Sequence, residues 1–220
     1  MRIRKKKWAQ PELDACPFFI QNPKDLRGAW QSAFGNGNPI ELEVGCGKGT
    51  FVAEKSLKNP GTNFIAVDIK SDMLGVARRN IVNIFSKENK ECENIRLTAY
   101  NVDKIDEILS SEDGISRIYI NFCNPWPRGK HNKRRLTHPT KLKLFRELLP
   151  VGGEIRFKTD NDELFDDSIE YFKECGFDIT YITYDLHRSD VTDNIVTEHE
   201  KMFSEEGIPI KYLTAVLREK

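Results

Sequence analysis

Short apolar runs alternate with helical patterns along most of the chain, and this alternation limits the possible folds more than any other feature. Seven runs have the length and composition of β-strands, namely 40–44, 63–67, 94–100, 117–122, 154–159, 178–184 and 210–217. Alternation at this spacing predicts a mostly parallel sheet with helices on both faces. We therefore expect an α/β fold with a twisted sheet of about seven strands. In such sheets, ligands bind beyond the carboxyl ends of the strands.

Charge is distributed unevenly, although the chain carries no formal net charge. Its 220 residues include 34 Lys and Arg and 34 Asp and Glu. The cations cluster at 2–7 and 128–135, whereas many acids lie at 160–167 and 198–206. Such clustering indicates a basic face for nucleic acid or phosphate, although a solvated surface would have the same composition. The length suits a single domain, with residues 1–38 as a basic N-terminal arm.

Cysteine spacing and hydrophobicity indicate the compartment. The five cysteines include no CxxC pair and no histidine at zinc-ligand spacing, so we expect free thiols and no metal site, as in a cytoplasmic protein. No apolar run approaches the length that spans a bilayer, and no hydrophobic segment of a secretory signal follows the basic start. We expect no membrane association, and the sequence is compatible with a monomer or a homodimer.

A glycine-rich loop follows the first predicted strand. Gly45, Gly47 and Gly49 form GxGxG between the run IELEV and a helical segment. Glycines there allow the backbone to approach a ligand closely, and the helix N-terminus offers free N–H groups. The dinucleotide fingerprint would need its third glycine where Thr50 stands, and the GxxxxGK spacing of a P-loop is missing. By itself the loop is also compatible with a plain tight turn.

Two acids beside this loop favour one class of ligand. Asp68 ends the second strand, about twenty residues after the glycines, where a carboxylate can accept hydrogen bonds from ribose hydroxyls. Glu43 lies inside the first apolar run, and a buried acid is costly unless a partner compensates its charge. S-adenosylmethionine carries a sulfonium and an ammonium group, so the two acids favour that cofactor over NAD.

Polar residues also follow the third and fourth strands. Asn101 lies where a polar side chain can contact adenine, although a turn or helix cap explains the neighbouring Asp103 equally well. The fourth strand leads into Asn124 and Pro-Trp-Pro. An Asn followed by proline and an aromatic residue is typical of methyltransferases that act on base nitrogens, and prolines fix the backbone. Trp126 could stack on a base or simply pack. The basic stretch that follows predicts contact with RNA or DNA phosphates.

Two later motifs have both a functional and a structural explanation. Asp160 follows the fifth strand at the predicted ligand edge, but Thr159, Asp160 or Asn161 could instead cap the next helix. Residues 197–200 read TEHE, which has the spacing of a capping box. A helix N-terminus can contact a substrate as well, so both roles stay open for this motif.

Together these motifs resemble the bacterial tRNA (guanine-N7)-methyltransferase family across almost the whole chain. The segments EVGCGKGTF, NFxxPWP with KHxKRRL, GGEIRFKTDN, DLH and TExExxF stand in family order. The resemblance implies a class I methyltransferase fold with a Rossmann-like sheet. It also implies methyl transfer from S-adenosylmethionine to N7 of a guanosine in the variable loop of tRNA.

The resemblance also implies roles for individual positions. Together with the three loop glycines, the cofactor-binding residues would be Glu43, Asp68, Asn101 and Asn124, with Asn124 at the catalytic position. The substrate-binding residues would be Arg128, Asp160, Thr197, Glu198, His199 and Glu200. The RNA-binding residues would be Lys130, His131, Asn132, Lys133, Arg134 and Arg135.

The family usually carries Asp where this chain has Asn101 and Asn124, and the amide at 124 limits the mechanism. N7 of guanine is an unprotonated ring nitrogen with an available lone pair, so methylation removes no proton from it. Catalysis can then rest on orientation and electrostatics. We therefore expect an active enzyme in which Asn124 positions the reactants instead of acting as a base.

Three other functions fit parts of the pattern. A methyltransferase acting on another nucleic-acid nitrogen, such as an exocyclic amine, would suit the same Asn-Pro-aromatic segment. A non-catalytic RNA-binding relative would keep the fold and the basic surface, but it would have no need for Glu43 and Asp68. An NAD-dependent oxidoreductase fits the glycine spacing poorly.

Overall fold

The computed structural model of the chain describes residues 6–127 and 129–219. The strands in these ranges are β1 Phe19–Ile20, β2 Ile40–Val44, β3 Asn63–Asp68, β4 Ile95–Ala99, β5 Ile115–Asn121, β6 Glu154–Thr159, β7 Phe177–Thr183 and β8 Lys211–Leu217. The α-helices are α1 Ala9–Asp14, α2 Trp30–Phe34, α3 Thr50–Lys58, α4 Ser71–Lys87, α5 Pro139–Leu148, α6 Asp162–Glu174 and α7 Glu198–Glu205. Short 3₁₀ helices occupy several connections, including Val102–Glu107 and Gly129–Arg134.

The chain divides between Leu109 and Ser110 into two compact units. In the first unit the strands lie in the order β1-β4-β3-β2, and each neighbouring pair is parallel. Every residue of β2 is buried, and so is every residue of β3 except Asp68. A parallel strand that is covered on both faces must be apolar almost throughout, which explains why FIAV is a continuous apolar run and not an alternating one.

In the second unit the strand order is β5-β6-β8-β7. Strands β5 and β6 are parallel, whereas β8 runs antiparallel to both β6 and β7. Antiparallel neighbours can be joined by a short hairpin, but here residues 184–210 separate β7 from β8 and contain α7. An excursion of this length is typical of a functional loop, and it carries the TEHE motif.

The predicted mostly parallel α/β fold is confirmed, with one strand more than the seven expected. The seven predicted runs correspond to β2 to β8, and their bounds agree to within two residues. The additional strand β1 has only two residues, Phe19 and Ile20, which pair with Leu97 and Thr98. A pair that short has no periodicity that a sequence pattern could reveal. No helix in the described ranges is both long and apolar enough to cross a membrane.

Helix α1 of the N-terminal arm packs against α4 in the first unit. Ala9 and Leu13 of α1 are buried, and a Cβ on Gly75 of α4 would lie 2.5 Å from the Cβ of Ala9. The absence of a side chain at Gly75 therefore allows the two helices to approach closely. Residues 1–5, which carry most of the basic cluster at 2–7, lie outside the described residues.

Polar contacts reinforce this docking. The backbone N–H of Lys6 donates to Asp72 Oδ1 at 2.8 Å. The guanidinium of Arg79 lies 3.5 Å from the centre of the Trp8 ring and forms an ion pair with Glu12. Cation–π contacts of this kind contribute about 0.5–1 kcal/mol at exposed sites, so the arm is held mainly by the helix packing.

We predict that Gly75→Ala destabilises the protein, although the same change in a free helix would stabilise it by about 1 kcal/mol. The added Cβ would meet Ala9, and overpacking of this kind costs about 1–3 kcal/mol. The free energy of unfolding in urea measures the effect. Adding Ala9→Gly should recover part of the loss because it removes one of the two colliding groups. A gain in stability for Gly75→Ala alone would contradict the docking of α1 on α4.

Candidate active site

The glycine-rich loop in the first unit connects β2 to α3 through three left-handed residues. Gly45, Gly47 and Gly49 have φ of 72°, 53° and 68°, a region that residues with a Cβ rarely adopt. The Gly45 N–H donates to the Val67 carbonyl at 2.8 Å and turns the loop over the end of β3. At Gly49 a Cβ would lie 2.7 Å from Ala77 Cβ, whereas at Gly47 it would meet only the Gly45 carbonyl, at 4.0 Å. The loop is closely packed behind Gly49 and open to a ligand at Gly47.

Asp68 lies at the end of β3 and is tied to this loop. Its Oδ2 accepts from the Gly47 N–H at 3.0 Å, and its Oδ1 accepts from the Lys70 N–H at 2.9 Å. Two backbone donors therefore orient the carboxylate. Its remaining lone pairs can accept hydrogen bonds from ribose hydroxyls, since the residue is only half-buried.

Glu43 places a carboxylate inside β2, where only 3 % of the residue is exposed. Burial, with repulsion from Glu43 and Asp68, raises the pKa of the Cys46 thiol in the loop well above its ordinary value. The carboxylates of Glu43 and Asp68 therefore both lie near the loop. Two acids beside an open loop suit a ligand with sulfonium and ammonium groups better than a pyrophosphate, so these residues fit S-adenosylmethionine.

Asn101 follows β4 and caps the 3₁₀ helix Val102–Glu107, because its Oδ1 accepts from the Asp103 N–H at 3.0 Å. The capping role that the sequence suggested for Asp103 thus belongs to Asn101. A backbone N–H can only donate, so it fixes Oδ1 toward the turn and directs the Nδ2 donors elsewhere. Contact between Asn101 and adenine stays a prediction.

In the second unit, the loop after β5 holds Asn124 between two strained residues. Phe122 and Trp126 have φ of 50° and 45°, although neither is glycine. Such residues cost about 1–3 kcal/mol each and persist where the surrounding structure enforces them. Asn124 is exposed, and its Oδ1 accepts from the Trp126 N–H at 3.0 Å. This bond stabilises the turn and directs the NH₂ group of Asn124 away from it.

The basic segment folds next to Trp126 as the 3₁₀ helix Gly129–Arg134. The Trp126 ring centre lies 5.9 Å from that of His131 and 5.0 Å from the Arg134 guanidinium. The ring therefore packs on the basic segment, and stacking of Trp126 on a base stays a prediction. Lys130, Lys133 and Arg134 are exposed, whereas His131 and Asn132 are half-buried. Arg128, predicted to bind substrate, lies outside the described residues.

Arg135 differs from the rest of the predicted RNA-binding stretch because it is fully buried. Its guanidinium forms ion pairs with Glu163 and Asp167 on α6 and donates from Nε to the Pro125 carbonyl at 2.7 Å. A charge that is already neutralised and enclosed is not available to a phosphate. The expectation that Arg135 contacts RNA is therefore corrected to a role inside the protein.

Asp160 follows β6. The sequence left open whether Asp160 or a neighbour caps α6, and the structure shows that Asn161 does so. Asn161 caps α6, since its Oδ1 accepts from the Leu164 N–H at 2.8 Å, and Thr159 Oγ1 accepts from the Asn161 N–H at 3.2 Å. The backbone carbonyl of Asp160 accepts from Lys211 Nζ at 2.9 Å. Its half-buried carboxylate does not cap the helix, and contact between Asp160 and substrate stays a prediction.

The TEHE motif forms the predicted capping box at the start of α7. Thr197 Oγ1 accepts from the Glu200 N–H at 3.1 Å, and Glu200 Oε2 accepts from the Thr197 N–H at 3.4 Å. Both residues are buried, whereas Glu198 and His199 are exposed. The His199 ring lies 6.0 Å from that of Phe122, at the start of the strained loop. Only Glu198 and His199 are therefore placed to contact a substrate directly.

Glu200 is the centre of a buried polar network. Its carboxylate accepts from Lys158 Nζ at 2.8 Å and from Asn194 Nδ2 at 2.6 Å, and it lies 2.8 Å from His187 Nε2. Burial alone would raise the pKa of Glu200, but the Lys158 ammonium and the hydrogen bonds hold that pKa below its ordinary value. Glu200 is not exposed at all, so the prediction that it binds substrate is replaced by a structural role.

Lys158 is a component of this site that the sequence interpretation did not single out. It is 3 % exposed and also donates to the Ile195 carbonyl at 2.8 Å, so it holds the segment before α7 to β6. The strand pattern gave no signal for it, because Glu154, Arg156 and Lys158 alternate with apolar residues, as they would on a half-exposed strand. The partners could not be inferred, because Glu200 lies 42 residues away in sequence.

The cysteines contribute no nucleophile to either loop. All five are free, as expected. Burial raises the pKa of the Cys123 thiol, next to Asn124, to about 12. A thiol with such a pKa is protonated at neutral pH and is a weak nucleophile. Within the described ranges, no group of three or more His, Cys, Asp or Glu is arranged to hold a metal ion.

Known proteins that are similar to this chain are methyltransferases. A protein-family model described as "Putative methyltransferase" matches residues 37–213. The tRNA (guanine-N(7)-)-methyltransferase of Clostridium beijerinckii is 58% identical over 216 residues, which cover 98% of this chain and 99% of that protein. A protein of the same name from Ruminiclostridium cellulolyticum is 50% identical over 221 residues, covering 100% of this chain and 94% of that protein.

Solved structures with the same fold are also methyltransferases. An antibiotic-related methyltransferase has a TM-score of 0.63 at 14% identity, covering 89% of this chain and 94% of that one. A second structure is a variant of the 16S rRNA (adenine(1408)-N(1))-methyltransferase from Catenulisporales acidiphilia, solved with cosubstrate SAM. It has a TM-score of 0.59 at 14% identity, covering 90% of this chain and 92% of that one. At this identity the likeness concerns the fold alone, and it confirms the predicted class I methyltransferase fold.

We predict that Glu200→Gln lowers the free energy of unfolding by roughly 3–5 kcal/mol at neutral pH, since it leaves the buried Lys158 without its counter-ion. The folded-state pKa of Glu200 is depressed, so its contribution is complete above the unfolded pKa of about 4.3 and is lost as pH falls below it. Denaturant titrations between pH 3 and pH 8 should therefore show that the free energies of unfolding of wild type and variant differ less in acid than at neutral pH.

The matched control is Glu198→Gln, which removes the same charge from an exposed position in the same helical turn. Loss of a favourable charge near a helix N-terminus costs about 0.3–1 kcal/mol. The buried ion pair would be contradicted if both substitutions lowered the free energy of unfolding equally. It would also be contradicted if the loss for Glu200→Gln did not depend on pH.

Proposed function

This chain belongs to the tRNA (guanine-N(7)-)-methyltransferase family, and we propose that it acts on a guanosine in the variable loop of tRNA. It is an S-adenosylmethionine-dependent enzyme that transfers a methyl group to N7 of guanosine in tRNA and forms 7-methylguanosine. We infer that it works in the cytoplasm, the compartment that holds tRNA. The structural observation that best supports this function is the open glycine loop to which Asp68 is bound, with the buried carboxylate of Glu43 on the strand before it.

The first unit supplies the residues that hold the cofactor. When bound, S-adenosylmethionine supplies a methyl group activated by attachment to a sulfonium. The buried carboxylate of Glu43 would stabilise the cationic groups of this ligand, and Asp68 would accept from its ribose hydroxyls. Gly47 leaves room for the ligand to approach the backbone. Asn101, whose Oδ1 is engaged in a cap, offers its Nδ2 donors to acceptors of the adenine ring.

Asn124 orients the reactants and removes no proton. N7 of guanine has its own lone pair, so it could accept a methyl group from bound S-adenosylmethionine without losing a proton. The guanine becomes cationic, and no proton has to leave. An amide, which cannot take up a proton at neutral pH, is sufficient for such a reaction. The bond from the Trp126 N–H holds Asn124 in one orientation, as positioning requires.

The second unit supplies groups for RNA. The exposed cations Lys130, Lys133 and Arg134 can each neutralise a phosphate, and each such contact steepens the decrease of log affinity with log salt by about 0.7–0.9. Asp160, Glu198 and His199 are candidates for contacts to the target nucleotide. Thr197 and Glu200 act on the substrate only through the position of α7.

Incubation of the purified protein with unmodified tRNA and methyl-labelled S-adenosylmethionine tests the function. We expect label in tRNA, release of the methyl group as 7-methylguanosine after digestion to nucleosides, and its location in the variable loop after fragment mapping. Label on an exocyclic amine would indicate a different base-nitrogen methyltransferase. Binding of tRNA without transfer would indicate a non-catalytic relative. Label at N7 outside the variable loop would overturn the proposed position only.

Asn124 substitutions test positioning against proton abstraction. We predict that Asn124→Ala, which loses the bond to the Trp126 N–H, lowers kcat by about 100-fold, a loss typical of misplaced reactants. Asn124→Asp keeps an acceptor for that bond and should stay within about tenfold of wild type. The wild-type kcat should show no ionisation that belongs to residue 124. An inactive wild type that Asn124→Asp rescues would show that the reaction needs a carboxylate.

A further inference from the structure

Arg135 ends the basic stretch 130–135, yet it is fully buried, with 0 % exposure. We propose that Arg135 is a positioning residue for methyl transfer: it holds the loop that carries Asn124 and makes no contact with RNA phosphates. The proposal rests on the function proposed above, because it assigns Arg135 a part in that reaction.

Three contacts of the guanidinium define this role. Nε donates to the Pro125 carbonyl at 2.7 Å, in the middle of the loop 122–127. Nη2 forms an ion pair with Glu163 at 2.8 Å, and Nη1 forms one with Asp167. The two acids lie four residues apart on α6, so both carboxylates face one planar guanidinium. Arg135 thereby joins the loop to a helix of 13 residues.

The loop needs such an anchor because its backbone is strained. Phe122 and Trp126 both have positive φ, and they keep it only while neighbouring contacts hold them there. Pro125 has no N–H, so its carbonyl is the one backbone hydrogen-bonding group of that residue, and Arg135 binds it. If this bond were lost, the strain could relax, and Asn124, which is bound to the Trp126 N–H, would change its position.

Contact with RNA would require Arg135 to leave this site. The guanidinium would have to release the Pro125 carbonyl and both carboxylates, which leaves buried polar groups unsatisfied. A phosphate that approached from solvent would be repelled by Glu163 and Asp167, whose side chains are 59% and 40% exposed. The surrounding charges thus favour an internal role for Arg135.

Arg135→Lys separates charge from geometry. A lysine keeps the positive charge, but its single ammonium cannot reproduce three directed bonds from a planar group. We expect kcat at saturating tRNA and S-adenosylmethionine to fall by about 10- to 100-fold, with the dissociation constant of S-adenosylmethionine unchanged. A phosphate contact needs only the charge, so retained kcat in this variant would overturn the proposal.

The double variant Glu163→Gln/Asp167→Asn gives opposite results under the two hypotheses. If Arg135 positions the loop, removal of its two counter-ions lowers kcat, although the surface becomes more favourable to RNA. If Arg135 is a phosphate contact, the same change frees it, so that tRNA binding tightens, its salt slope rises and kcat is retained. Lys133→Gln shows how much one phosphate contact contributes to the salt slope, which should become shallower by about 0.7–0.9. Glu170→Gln, an exposed change on the same helix, controls for the altered charge.

Hydrogen exchange tests the anchor independently of activity. The Trp126 amide should exchange faster in Arg135→Lys and in the double variant than in wild type, whereas the amides of β6 and of the glycine loop 45–49 should not change if both variants are folded. Unchanged exchange at Trp126 would overturn the proposal. If the wild-type protein methylates no tRNA, the proposed function fails, and the exchange measurement still decides whether Arg135 holds the loop.

Discussion

A charge that is buried away from water needs polar partners within hydrogen-bonding distance, and several buried cations of the second unit have acidic ones. Lys158 on β6 pairs with Glu200 on α7, and Arg135 pairs with Glu163 and Asp167 on α6. Breaking a fully buried pair such as Lys158–Glu200 costs about 3–5 kcal/mol, whereas solvent screens the exposed acids that pair with Arg135. Each pair therefore favours one packing of the elements that it joins, and this packing fixes the positions of the loops that carry the polar site residues.

The two units hold their functional loops by different physical means. In the first unit the loop between β2 and α3 needs left-handed residues, and Gly45, Gly47 and Gly49 adopt that conformation without strain. In the second unit Phe122 and Trp126 adopt it at a cost that contacts must offset. The cofactor loop consequently depends on residue type, whereas the loop with Asn124 depends on tertiary bonds, of which the one from Arg135 is the clearest.

The parts of the site that could be predicted from the sequence are those built by local physics. The glycine loop, Asp68 at the end of a strand and the capping box at 197–200 depend on residues close in sequence or on strand ends that share one edge. The role of Arg135 could not be predicted in this way. A run of cations is typical of an exposed surface, and the acids that enclose Arg135 lie 28 and 32 residues away in sequence.

The sequence by itself determined the strand–helix alternation, the glycine loop with its neighbouring acids and the resemblance to one methyltransferase family, since each is written in residue type and spacing. The tertiary structure alone decided which charged residues of the motifs face solvent. It exposes Lys130, Lys133 and Arg134 and buries Arg135, and it exposes Glu198 and buries Glu200. The reason is that the cost of desolvating a charge depends on partners brought close by folding, and neighbouring residues of one type can differ completely in those partners.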